Sequence, residues 1–379
     1  MINMIHNRHQ IHIWVPELNQ TGGIQAFSRF LIKAMRKSFD GEVHVFSKKD
    51  KTSPVIAELQ GCSWSAFGET PSTFQTIIFS FNILFAAFLR HPQLIIVTHA
   101  HFAVIALILK KILKQKYLVI AHGVEVWNIN NWLLKKAIRN ADKVLAVSNF
   151  TKQRLISQNL AFDGGITIFP NTFDETRFCI GMSEKKIFEK YGIRNQDQIL
   201  LTVCRLVQSE FKKGYDLVLR AMVELSKQLP DLKYVIIGDG EDRCHLDRTI
   251  KNLHLSERVI LAGRVSDEEL PKYYKSANIF VMPSEREGFG IVYLEALACG
   301  LPVIAARCAG AVDALMGGEL GDLIEPGDVI GLTRKIYERL MMPYSFDMKT
   351  KLNQKASYYF GQKKFNQRLS SILNQVLND

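Results

Sequence analysis

The chain has 379 residues, with 47% hydrophobic and 22% charged side chains and a net charge of +11. That length exceeds one ordinary core and fits two domains of about 150 to 200 residues; the composition is that of a soluble globular protein. The six cysteines (Cys62, Cys179, Cys204, Cys244, Cys299, Cys308) form no C-x-x-C pair and no metal spacing, so reduced thiols in a cytoplasmic protein are expected. Residues 1–8 lack an apolar stretch, and secretion is not indicated.

The first half alternates short apolar strands with longer helices, the pattern of a parallel sheet wound on both sides. Strands are predicted at 11–15, 43–46, 94–98, 118–121, 143–147 and 166–169. The first breaks at Pro16 and passes through Thr21-Gly22-Gly23-Ile24-Gln25 into a helix with Phe27, Phe30, Leu31 and Ala34 on one side. Gly22 and Gly23 fit a loop that closes over a phosphate, and equally an ordinary connection. They do not form the Gly-x-Gly-x-x-Gly turn of dinucleotide-binding sheets.

Residues 74–89 are aromatic-rich but carry Gln75, Thr76, Ser80 and Asn82, and are too short to span a bilayer comfortably. Residues 104–116 place Lys110, Lys111, Lys114 and Lys116 at the end of an apolar helix. Two readings stay open for this basic, apolar pair: a face resting on an anionic membrane surface, or solvated lysines favoured by a helix macrodipole. No nucleic-acid motif with interleaved aromatics appears. His99 and His101 follow one strand, and Ala121-His122-Gly123-Val124-Glu125 follows the next, with His122 either a polar cap or a cleft residue. Ser148 and Thr151 suit an N-cap. Pro170-Asn171-Thr172 marks the exit from the domain, with Asn171 fixing the turn.

A second series has strands at 199–204, 234–238, 259–261, 279–282, 303–306 and 322–324, and helices at 215–229, 269–275 and 291–298. Arg205 follows its first strand, and Lys213-Gly214 opens the next helix, so both cations can converge at the sheet's C-terminal edge; Lys212 reads as solvated. Gly238-Asp239-Gly240 ends another strand, as a tight turn or beside a ligand. Gly263-Arg264-Val265 follows the next. Glu287 lies on the loop after strand 279–282, and Glu295 one turn inside the helix closed by Gly300. Between them Gly288, Phe289, Gly290 and Ile291 offer free backbone N–H groups at a helix N-terminus, the usual place for a phosphate. Carboxylates on either side of a phosphate suit a nucleotide-sugar. No Asp-x-Asp and no carboxylate cluster suited to a divalent metal occurs. Residues 357–377 read as one long basic-amphipathic helix.

Glu287 and Glu295, with the Gly-Phe-Gly turn, Arg205, Lys213-Gly214 and His122-Gly123, resemble glycosyltransferase family 4, retaining enzymes of the GT-B fold, over nearly the whole chain. The resemblance implies two Rossmann-like doubly wound domains facing a cleft. They would comprise residues 1–171 on the acceptor side, residues 172–356 binding the nucleotide-sugar, and residues 357–379 as a helix crossing back to the first domain. It implies that Arg205 and Lys213 bind the donor pyrophosphate, with Gly22, Gly23 and Gly238 beside the donor. The backbone at Arg264 and Val265 would meet the base. Glu287 would bind the sugar and stabilise charge at the anomeric carbon, Glu295 would hold the ribose, and His122 would contact the sugar's primary hydroxyl.

Catalysis would then need no divalent metal and no cofactor. The expected activity is transfer of a hexose, first from UDP-glucose, to a glycan or lipid-linked hydroxyl in cell-surface polysaccharide synthesis. The alternatives are a GDP-mannose-dependent mannosyltransferase or a non-catalytic sugar-nucleotide-binding protein. Cytoplasmic location is expected, with the basic, apolar face left open between the cytoplasmic side of a membrane and solvent. A nicotinamide-dependent enzyme is disfavoured by the missing Gly-x-Gly-x-x-Gly turn.

Overall fold

Strands buried on both faces need helical crossovers to cover them, and this pattern recurs through both halves of the chain. The computed structural model describes residues 9–51, 60–161, 163–207 and 213–378. The chain divides into two units, Met1–Asn171 with Lys363–Asp379, and Thr172–Gln362. Residues 1–8 and Lys212, both singled out in the sequence, lie outside the described residues.

The first unit contains β1 (Gln10–Val15), β2 (Glu42–Ser47), β3 (Ser63–Ala66), β4 (Leu94–Val97), β5 (Tyr117–Ala121), β6 (Lys143–Ala146) and β7 (Ile166–Ile168). Their order is β3-β2-β1-β4-β5-β6-β7, and every pair is parallel. In register, Ile13 sits between Val45 and Ile96. β1, β4 and β5 are buried along their whole length. β3 was not foreseen, because Ser-Trp-Ser-Ala has neither β-branched residues nor a buried face; it is a half-buried edge strand.

The second unit contains β8 (Gln198–Val203), β9 (Leu232–Ile237), β10 (Val259–Gly263), β11 (Ile279–Met282), β12 (Val303–Ala306) and β13 (Asp322–Ile324), in the order β10-β9-β8-β11-β12-β13, all parallel. Its core gathers Leu200, Tyr234, Ile236, Val281 and Ile304 from the sheet with Leu219 and Met222 from the helix Tyr215–Gln228. In both sheets the strand order reverses beside the first strand, so each unit is doubly wound, the fold class read from the sequence.

The long terminal helix expected at 357–377 is two helices, Phe346–Phe360 and Gln362–Asn378. Gly361 separates them in an extended conformation, φ −64° and ψ 162°. A Cβ at Gly361 would fall 2.4 Å from Ser357 O and 2.7 Å from Glu175 Oε1, so only glycine fits the break. The final helix belongs to the first unit, where Phe365 packs on Phe27 and Phe169 with ring centroids 5.8 and 4.5 Å apart. Lys116 Nζ donates to Val376 O at 2.9 Å.

Candidate active site

In an open parallel sheet, ligands bind outside the strands' C-terminal ends where the order reverses. In the second unit that point lies between β8 and β11, which pair through Leu200 and Ile279. The loop after β11 carries Glu287, Gly288, Phe289 and Gly290 and runs into the helix Ile291–Ala298. Gly290 has φ 93°, and a Cβ there would meet the Tyr293 ring at 2.3 Å, so the turn requires glycine. The helix has no side-chain cap and no acidic residue in its first turn, leaving the positive end of its dipole uncompensated by side chains.

Two contacts hold this loop in place. Tyr293 Oη donates to Met282 O at 2.8 Å, and Gly310 N donates to Glu287 O at 2.8 Å. Gly310 abuts the loop so closely that an added Cβ would lie 2.0 Å from Gly288 O. Phe289 is buried against Phe360, with centroids 5.4 Å apart.

The loops after β8 and β11 meet here. Lys213 Nζ donates to Glu287 Oε2 at 2.9 Å, with side chains only 14% and 16% exposed. Gly214, at φ 85°, lies so near Pro283 that a Cβ would fall 2.4 Å from its carbonyl oxygen. Arg205 is exposed, two residues beyond the end of β8. Glu295 lies on the helix that starts from the same loop, and its Oε2 accepts from Tyr274 Oη at 2.9 Å. Burial pushes the Glu295 carboxyl up to about 7, opposed by the Tyr274 hydrogen bond and by the charge of Arg177. Tyr274 is itself driven up, by burial first and by the neighbouring Glu295 next.

Three further expected residues follow the neighbouring strands β9 and β10. Gly238 has φ 138°, and a Cβ there would fall 1.8 Å from Cys204 O; its glycine is required by packing against the loop after β8. Arg264 and Val265 follow β10, the edge strand, two strands away from β8 and so about 10 Å across the sheet. Sequence reasoning missed Tyr274, Gly310 and Ser284. Tyr274 reads as core, Gly310 touches the loop only through tertiary packing, and the buried Ser284 Oγ, without a protein partner, carries no motif. Among the described residues no group of three or more His, Cys, Asp or Glu side chains could hold a metal ion.

In the first unit, Gly22 and Gly23 end the loop after β1, and the helix Gly23–Ser38 starts there without a side-chain cap. A Cβ at Gly22 would strike Gln25 Oε1 at 2.3 Å, whereas at Gly23 it would meet nothing within 4 Å. Asp50, also not foreseen, anchors this loop by accepting from Leu18 N at 2.7 Å and Asn19 N at 3.1 Å. His122 follows β5. Its Nε2 lies 2.9 Å from Thr98 O, and because a carbonyl only accepts, Nε2 carries the proton. Burial pulls its basicity down to about 3, against that hydrogen bond, so the imidazole is neutral with Nδ1 as an acceptor. Glu125 Oε1 accepts from His122 N at 2.6 Å and Gly123 N at 3.2 Å, which fixes the turn. His99 and His101 stack at 4.9 Å. Ser148 caps the helix Asn149–Ser157, accepting from Thr151 N at 3.1 Å.

Two doubly wound parallel units place the molecule in the GT-B class, and solved GT-B structures superpose on it. Anabaena HepE in complex with UDP-glucose aligns with a TM-score of 0.79 at 21% identity, over 97% of this chain and 99% of that one. Residues 21–177 match the family described as Glycosyltransferase Family 4, and residues 183–358 match Glycosyl transferases group 1. The chain belongs to glycosyltransferase family 4.

Among curated relatives, it is 32% identical over 236 residues to the GDP-mannose-dependent alpha-(1-6)-phosphatidylinositol monomannoside mannosyltransferase of Mycolicibacterium smegmatis, covering 59% of this chain and 60% of the relative. It is 27% identical over 259 residues to the N-acetyl-alpha-D-glucosaminyl L-malate synthase of Bacillus anthracis, covering 64% and 65%. The matched region thus spans less than two thirds of either relative's length.

Proposed function

We propose that this chain transfers a hexose, with retention at the anomeric carbon and without a divalent metal, from a nucleoside diphosphate sugar to a hydroxyl of a glycan or lipid-linked acceptor. The observation that carries this reading is the mostly buried Lys213–Glu287 pair beside an uncapped helix N-terminus at the switch point of the second sheet. An entering diphosphate brings two or three negative charges. Lys213 exchanges its carboxylate partner for a phosphate oxygen, and Arg205 and the amides of Gly288 to Ile291 complete the anion site. Glu287, released, accepts from sugar hydroxyls and faces the positive charge that grows on the anomeric carbon. Glu295 accepts from the ribose, and neutral His122 accepts from a sugar hydroxyl.

In the chemical step the bond from the anomeric carbon to the β-phosphate oxygen breaks. The acceptor oxygen bonds to the same face, and its proton passes to the departing phosphate. The charge that builds on the diphosphate is the one the cations and amides are placed to stabilise. Neither Glu287 nor Glu295 is required as a covalent nucleophile.

UDP-glucose is the first donor, supported by the likeness of fold to HepE, which was solved with that ligand. GDP-mannose is the second, supported by the 32% identity to a GDP-mannose-dependent enzyme. On this reading the enzyme works in cell-surface polysaccharide synthesis on the cytoplasmic side. The test is release of nucleotide from UDP-glucose and from GDP-mannose, with and without membrane extract as acceptor. Turnover of one donor supports the reading. Tight binding without release from either donor identifies a non-catalytic sugar-nucleotide binder instead.

A further inference from the structure

The helix Ser72–Arg90 is apolar on two opposite sides. Phe79, Ile83 and Ala87 are buried, with Phe79 against Phe67 and Phe102 at 5.4 and 5.1 Å. On the other side Phe74, Ile77, Phe81, Phe85 and Phe88 form a stripe in which each side chain is 53–66% exposed. These positions repeat every three or four residues, and Phe81 and Phe85 stack at 6.0 Å. A helix covering a sheet ordinarily turns charged residues outward; this one has none between Ser72 and Leu89. The stripe continues onto the neighbouring helix Ala103–Leu113 through exposed Ile108 and Ile112. Beyond that lies exposed Trp132, at the start of the helix Trp132–Arg139 packed against it.

These three helices carry Arg90, Lys110, Lys111, Lys135, Lys136 and Arg139, and no acidic residue. Lys110 is paired with Asp142 at 2.7 Å. Lys111 is exposed within one turn of Ile108 and Ile112, Lys136 is exposed one turn from Trp132, and Lys114 is exposed just past its helix. The apolar stripe of the first helix is therefore bordered by exposed basic side chains on and just past the next two, over one face of the first unit.

We propose that this face docks on an anionic lipid bilayer, with the phenylalanines entering the acyl boundary and the lysines meeting lipid phosphates. Bilayers are both apolar and negatively charged at that depth. A second copy of the chain fits less well, since pairing the face with itself would set lysines against lysines with no acid between them. By length and composition Ser72–Arg90 could cross a membrane. Its topology forbids that: it is the crossover from β3 to β4 of one sheet, and its buried side packs on Phe67, Phe102 and the helix Ala103–Leu113. It rests on the bilayer and does not span it.

Flotation of the full chain with vesicles tests this. The chain should float with vesicles of equal parts phosphatidylglycerol and phosphatidylcholine, far less with phosphatidylcholine alone, and less as salt rises. Phe81→Ser with Phe85→Ser should weaken binding roughly tenfold or more, and Lys111→Gln with Lys114→Gln should remove the preference for phosphatidylglycerol. Each variant should keep the parent's circular dichroism spectrum. Variants that bind like the parent would overturn the proposal. So would a chain that ignores both vesicles, or one that is a dimer dissociated by Phe81→Ser without vesicle binding. The assay is independent of donor turnover, so its failure would leave the glycosyl-transfer reading intact.

Discussion

Replacing Glu295 with glutamine removes a carboxyl that burial has shifted from its ordinary 4.5 to about 7. At about 1.4 kcal/mol per tenfold, that displacement corresponds to about 3 kcal/mol, trimmed to about 2 by the residue's partial solvent access. Because the folded state holds the proton more tightly than the unfolded chain, the carboxyl's contribution is fully present below pH 4.5. It is lost as pH rises towards 7. Glutamine is neutral throughout and its amide oxygen still accepts from Tyr274. Glu295→Gln should therefore match the parent near pH 4.5 and exceed it by about 2 kcal/mol at pH 7.5, the gap opening between those values. Urea unfolding of both proteins at several pH values from 4.5 to 8 gives this difference directly. A difference that is flat with pH, or one that grows in the parent's favour, would refute the reasoning that burial dominates at this carboxyl.

Lys213→Ala removes the cation facing Glu287 and should lower kcat/KM for the donor about a hundredfold, roughly 3 kcal/mol of transition-state stabilisation, in a nucleotide-release assay. Gly310→Ala would set a Cβ 2.0 Å from Gly288 O and push the Glu287–Gly290 turn outward; donor KM should rise about tenfold or more by initial-rate kinetics. Turnover should survive EDTA; loss of activity restored by Mn²⁺ would show that Lys213, Arg205 and the helix end do not suffice as the positive field.

Periodicity was enough to mark twelve of the thirteen strands, because each is a short apolar run, most of them buried and rich in β-branched residues or leucine. It failed for β3, whose Ser-Trp-Ser-Ala sequence is kept in the sheet by its pairing with β2. It also failed at Gly361, where the chain turns extended at a glycine whose Cβ position is closed off by Ser357 O and Glu175 Oε1, although the apolar spacing would continue the helix. In the site, Lys213, Glu287, Gly290 and Glu295 were legible because loop position and glycine turns are local signals. Tyr274 and Gly310 were not, since each acts through a neighbour distant in sequence, at Glu295 and at Gly288. At Gly238 the carbonyl of Cys204 alone is enough to demand glycine, so the motif there is a packing signal whether or not a ligand lies beside it.

A crystal structure of the chain with UDP bound is the most direct test of the central claim, that the edge formed by the ends of β8 and β11 holds a nucleoside diphosphate. The account predicts the two phosphates against the amides of Gly288 to Ile291, with Lys213 turned from Glu287 onto a phosphate oxygen and Glu295 at the ribose. A nucleotide seated elsewhere, with the Lys213–Glu287 pair unbroken, would contradict it.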